Sequence, residues 1–165
     1  MRHHFAIEIL WDESVGAAPE HDSLTDAVLA KTARSAAEHL GFTGGALGIR
    51  ITDDAAIREI NVQHLQHDYA TDVISFPYGV EDTANGKTVE GELVVSLEFA
   101  RASSATAVDW LPTDELKLYI IHGVLHICGL EDKTEDERSE MRSAEAAVLR
   151  RLGLSVDRAM EGFDR

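Results

Sequence analysis

The sequence predicts an α/β (α+β) fold, a four-stranded mixed sheet with about five helices arranged around one central helix. Three observations predict it. Strand-like and helix-like segments alternate along the 165 residues, the pattern of a sheet covered by helices. The run Leu116, Leu118, Tyr119, Ile120, Ile121, Val124, Leu125 and Ile127 is apolar on nearly all sides, as expected of a helix buried mid-domain. That helix also carries His122 and His126, four residues apart and therefore on one face, about 40° from each other around the axis and about 6 Å apart along it.

Taken in order, Phe5 to Trp11 is apolar with one polar break and reads as a first strand, preceded by His3-His4 as surface decoration. Ser23 to Leu40 is helical: Ser23 and Asp26 resemble a capping box, Leu24, Ala27 and Val28 begin an apolar stripe, and Gly41 closes it. Ala46 to Thr52 alternates as a second strand. Thr52-Asp53 then caps a helix reaching about His64, with Ile57, Ile60 and Val62 expected inward.

Thr71 to Tyr78 and Gly91 to Leu97 are β-branched and aromatic, and read as two further strands. Between them the polar stretch 81–87, with Asn85-Gly86, predicts a long mobile hairpin loop joining antiparallel neighbours. Leu97 to about Ala105 forms a short helix, and Pro112-Thr113 opens the central one, where a missing N–H costs little. Thr134 and Glu137 form the capping box of a last helix that runs to about Leu152 and ends at Gly153. The tail beyond it is expected to be weakly ordered.

The central helix has chelate geometry. Gly129 stands where it would end, because glycine takes a left-handed cap without a Cβ penalty, and the chain then presents Asp132. Two imidazole nitrogens and one carboxylate oxygen suit zinc or another first-row divalent ion, and three protein ligands leave a coordination position open. Such openness points to catalysis. The spacing of His122, His126, Gly129 and Asp132 matches the zinc sites of metzincin proteases, which carry a glutamate after the first histidine; here Gly123 stands there and cannot act as a base. Cys128 falls about 160° around the helix from His126 and is expected to pack as a small hydrophobe.

The length suits a single domain over residues 1–165, large enough to bury about 70% of its unfolded surface. One cysteine excludes an internal disulfide, and neither a leader-like segment nor a membrane span is read, so a reducing, cytoplasmic setting is expected. The net charge of −15 opposes nucleic-acid binding unless bases cluster, and Arg150-Arg151 is the only adjacent basic pair.

Two segments together carry a family resemblance. His122-Gly123-x-Leu125-His126-x-x-Gly129-x-x-Asp132, joined to Asn61, Asp68 and the run Thr71-Asp72-Val73-Ile74-Ser75-Phe76, resembles the YbeY family of rRNA maturation factors over roughly residues 55 to 150. Gly91-Glu92-Leu93 and Ser96 match its next strand. The resemblance implies a zinc-dependent, single-strand-specific endoribonuclease, acting in ribosomal RNA maturation at the small-subunit 3′ end and in ribosome quality control. Its implied partners are ribosomal RNA and the small subunit.

The chain departs from that pattern at two positions. Asp132 replaces the family's usual third histidine, which widens the range of metals. Leu65 replaces an arginine that can grip phosphate bidentately, leaving His64 and His67 as nearby polar groups. His64, Asp72 and Ser75 are the candidates to line a catalytic cleft, and Asn61 is the candidate substrate contact. A metallopeptidase-like hydrolase and a ribosome-associated binding module with a structural metal are the competing readings.

Overall fold

The computed structural model describes residues 4–15, 24–65 and 72–160. Four strands, β1 (Phe5–Trp11), β2 (Gly44–Thr52), β3 (Val73–Thr83) and β4 (Gly86–Ser96), form one sheet in the order β1-β2-β4-β3. β1 with β2 and β2 with β4 are parallel, whereas β3 pairs antiparallel with β4. The sheet is therefore mixed, with β3 at its edge. The helices are α1 (Asp26–His39), α2 (Asp54–Ile60), α3 (Leu97–Ser104), α4 (Pro112–Ile127), α5 (Glu135–Arg151) and α6 (Asp157–Met160). None of the described helices is long and apolar enough to cross a membrane.

Alternation along the strands divides the core. Leu47, Ile49 and Ile51 of β2, with Val89, Leu93 and Val95 of β4, face α1, α3, α4 and α5 in the larger cluster. Ile74 and Val94 point the other way and meet Ile57 of α2, partly covered by Ile60 and Phe76. Each apolar face thereby loses contact with water, the main favourable contribution to folding. α4 supplies the middle of the larger layer, with Leu116, Leu118, Ile120, Ile121, Val124 and Leu125 fully buried.

Two glycines bring α4 close to the sheet. A Cβ at Gly91 would lie 2.6 Å from Ile127 Cγ2, and one at Gly123 would lie 2.7 Å from Leu93 Cδ2 and 3.0 Å from Val73 Cγ2. A larger residue at Gly91 would also press on the Phe76 backbone carbonyl, at 2.9 Å, and one at Gly123 would have to displace the Leu93 and Val73 side chains packed there.

Local chemistry explains the helix ends. Asp53 caps α2 by accepting from the Ala56 N–H at 2.8 Å, and Ser96 caps α3 by accepting from Phe99 N–H at 3.0 Å. Thr134 and Glu137 form the reciprocal box at α5, with bonds of 3.1 and 2.9 Å.

Several expectations are corrected. α1 begins at Asp26 and its cap is Thr25, which accepts from Val28 N–H; Ser23 lies outside the described residues. Val62 is exposed, because α2 changes at Asn61 into a π-helical turn ending at Leu65, which rotates that side chain off the inward stripe.

The stretch 81–87 is mostly strand. Thr83 pairs with Gly86 across a two-residue turn at Ala84-Asn85, so β3 and β4 run on to their tip. Nor is the segment after Gly153 without structure: α6 forms there, and Ala159 is completely buried.

Candidate metal centre

α4 places His122 and His126 on one face, and the turn after it supplies the third group. Gly129 adopts φ +114°, and Leu130 N–H donates to Leu125 C=O at 3.0 Å as the chain reverses. That reversal brings Asp132 back beside the imidazoles. The Nε2 atoms of His122 and His126 are 3.0 Å apart, and Asp132 Oδ2 lies 3.5 Å from the first and 3.1 Å from the second.

These separations fit a metal. Ligand atoms about 2.0–2.2 Å from a tetrahedral ion stand about 3.3–3.6 Å from one another, close to the triangle observed. The outer nitrogens are also accounted for. His126 Nδ1 lies 2.8 Å from Leu130 C=O, and His122 Nδ1 lies 2.6 Å from Glu145 Oε2. A proton on each Nδ1 leaves each Nε2 lone pair aimed at the common point. Among the described residues, His122, His126 and Asp132 form a group that could hold a metal ion.

Asp132 brings the negative charge to this point. Without a metal, hydrogen bonding to His122 and the charges of His126 and His122 when those rings are protonated hold the Asp132 carboxyl down at about 2 against the opposing effect of burial. It therefore stays ionised through neutral and mildly acidic pH. Cys128 takes no part: its thiol packs against the larger core, and burial pushes it up to about 12.

The other candidates are placed unevenly. Ser75, on β3, donates its hydroxyl to Gly123 C=O at 3.3 Å, directly beside His122 in the chain. Asp72 is buried at the start of β3, where it accepts from Val73 N–H at 2.8 Å. His64 sits in the π-helical turn, edge-on to Phe76 with ring centroids 5.8 Å apart. It lines a groove of about 640 Å³ with Glu8, Leu10, Tyr78 and Glu92, on the α2 side of the sheet. Asn61 is buried in the same turn, at the end of α2. His67, Asp68 and Thr71 lie outside the described residues.

Sequence reasoning missed Glu145, although a signal existed. Met141, Ala144, Glu145, Val148 and Leu149 follow the spacing of the buried stripe of α5, so a carboxylate stands at a core position and calls for a partner.

Comparison with known proteins identifies the family. A family model described as Endoribonuclease YbeY matches residues 11–153. The chain belongs to the YbeY endoribonuclease family. It is 46% identical over 129 residues to an Endoribonuclease YbeY of Rhodopirellula baltica, covering 78% of this chain and 64% of that protein. It is 38% identical over 117 residues to an Endoribonuclease YbeY of Parabacteroides distasonis, covering 70% of this chain and 78% of that protein. The chain thus spans less than two thirds of the first relative and more than three quarters of the second. A Thermotoga maritima protein solved in solution shares the fold at 21% identity, with a TM-score of 0.54 over 96% of both chains.

Proposed function

We propose that this YbeY-family chain is a metal-dependent endoribonuclease that cuts single-stranded RNA. Its role is maturation of the small-subunit ribosomal RNA 3′ end and ribosome quality control in the cytoplasm. In this reading residues 1–165 act as one domain and bind one zinc ion through His122, His126 and Asp132. The observation that carries it is the convergence of two Nε2 atoms and one carboxylate oxygen within 3.0–3.5 Å at the end of a buried helix.

His122, His126 and Asp132 would hold a divalent ion that would supply Lewis acidity toward a phosphoryl oxygen and lower the pKa of a water to about 7. The chain's residues do the rest by holding that geometry. Asp132 contributes a permanent negative charge, and the Gly129 turn fixes it against α4. Ser75 ties the edge strand β3 to Gly123 beside the first ligand, so β3 forms one wall of the site. A protein base at position 123 is sterically opposed, since its side chain would meet Leu93, Val73 and Ser75. That counts against the metallopeptidase reading.

The charge of −15 favours a substrate delivered on the small ribosomal subunit, where proximity replaces electrostatic capture. The test is an assay of metal-loaded protein on single-stranded RNA, structured RNA and an unstructured peptide. Metal-dependent cleavage of the single strand alone is expected. Peptide cleavage would revive the protease reading, and metal binding without cleavage of RNA, free or in immature small-subunit particles, would favour a binding module with a structural metal.

A further inference from the structure

His122 and His126 are ligands of one triangle, yet their outer nitrogens face different chemistry. His126 Nδ1 meets a neutral acceptor, the Leu130 carbonyl. His122 Nδ1 meets Glu145 Oε2 at 2.6 Å, and Glu145 is fully buried. Around it on α5 stand Met141, Ala144, Val148 and Leu149, all buried. An ionised carboxylate in such surroundings is strongly disfavoured unless a donor compensates it, and the imidazole N–H is placed to do so.

We propose that Glu145 is a positioning residue of the metal centre: it holds His122 as the Nδ1–H tautomer with Nε2 aimed at the metal, making His122 the anchoring ligand. The inference rests on the metal-centre reading above and deepens it.

Two consequences follow from charge and geometry. Hydrogen bonding to an anion raises the electron density and basicity of the imidazole, so Nε2 binds a cation more strongly than one backed by a carbonyl. The centre also becomes electrically balanced. Two neutral imidazoles with the Asp132 and Glu145 carboxylates carry −2, which cancels a divalent ion in a site half enclosed by protein. His126 lacks this support and its ring is more accessible, with 23% of its side-chain surface exposed against 9% for His122.

The test uses the full chain, with zinc as the probe. Histidine-selective ¹⁵N NMR of the metal-free protein reads the tautomer of each ring, His122 being assigned by the signal lost in His122→Asn. Zinc affinity comes from competition with a chromophoric chelator. In the unmutated protein His122 is expected as the Nδ1–H tautomer. In Glu145→Gln, where the shape remains and the charge is gone, zinc binding is expected to weaken about 10–100-fold. His122 should then populate both tautomers while His126 is unchanged. Val148→Ala, a core truncation on the same stripe, is expected to lower stability and leave both readouts alone.

Native zinc affinity in Glu145→Gln, or a His122 ring protonated at Nε2 in the unmutated protein, overturns the proposal. The second readout needs no variant to fold. Absence of zinc binding in the native chain would instead defeat the metal-centre reading, with the tautomer result still standing as a separate observation.

Discussion

Arg158 Nε donates to Glu115 Oε1 at 2.9 Å, tying α6 to the first turns of the helix that carries both imidazoles. Glu115 is fully buried and also accepts from Trp110 Nε1 and Tyr119 OH, each at 2.8 Å. Arg158 supplies the compensating charge and reaches on to Ser103 C=O at 2.9 Å.

Removing one partner of such a pair leaves a buried charge uncompensated. Arg158→Ala is expected to lower stability by about 3–5 kcal/mol. Urea unfolding followed by tryptophan fluorescence measures it, since Trp110 shares the network. An unchanged midpoint would show that α6 does not brace α4.

Gly129 lies at φ +114°, a conformation that an alanine adopts only with strain. Gly129→Ala should cost about 1–3 kcal/mol and weaken metal binding as well, because the same turn places Leu130 C=O and Asp132. Calorimetric unfolding and zinc titration on one preparation separate the two effects. Lost stability with native zinc affinity would mean that the turn does not set the ligand geometry.

Cys128 should be nearly inert in the folded protein. Burial raises its thiol to about 12, so at pH 8 the thiolate fraction is on the order of 10⁻⁴. Native chain is expected to react with iodoacetamide only on unfolding. The sign for stability follows: above about pH 8.5 the unfolded thiol releases a proton that the native one keeps. Stability therefore falls as pH rises toward 12, and the raised Tyr119 hydroxyl, buried beside Glu115, acts in the same direction. Rapid native alkylation would contradict this packing.

Asp132→His exchanges a hard oxygen for a softer imidazole nitrogen. The variant is expected to retain metal and to shift preference from manganese toward zinc. Competition titration with both ions reads the ratio. An unchanged ratio would mean that Asp132 does not ligate.

Much of this was legible in the sequence because it is local. Two histidines four apart, Gly129 past the helix end and the Thr134–Glu137 box depend on neighbours in the chain, and each stands where spacing predicts. What escaped depends on distant partners. The outer half of β3 is exposed, so it lacks an apolar face to reveal it, and cross-strand pairing with β4 from Thr83–Gly86 onward defines it instead. α6 is short and held by Arg158 reaching back 43 residues. Glu145 meets His122 across 23 residues, and only its place on the buried stripe of α5 gives it away. His64 lies near Asn61 in sequence, but the π-helical turn sets it against Phe76.

The central claim is that His122, His126 and Asp132 hold the ion that drives RNA cleavage. The most direct measurement pairs elemental analysis with the cleavage rate of a single-stranded RNA, on the same samples of native chain and His126→Ala. About one divalent ion per native chain is expected, with the metal lost in the variant and the rate reduced by about 100-fold or more. Equal metal content, or equal cleavage with contaminating nuclease excluded, would contradict the account.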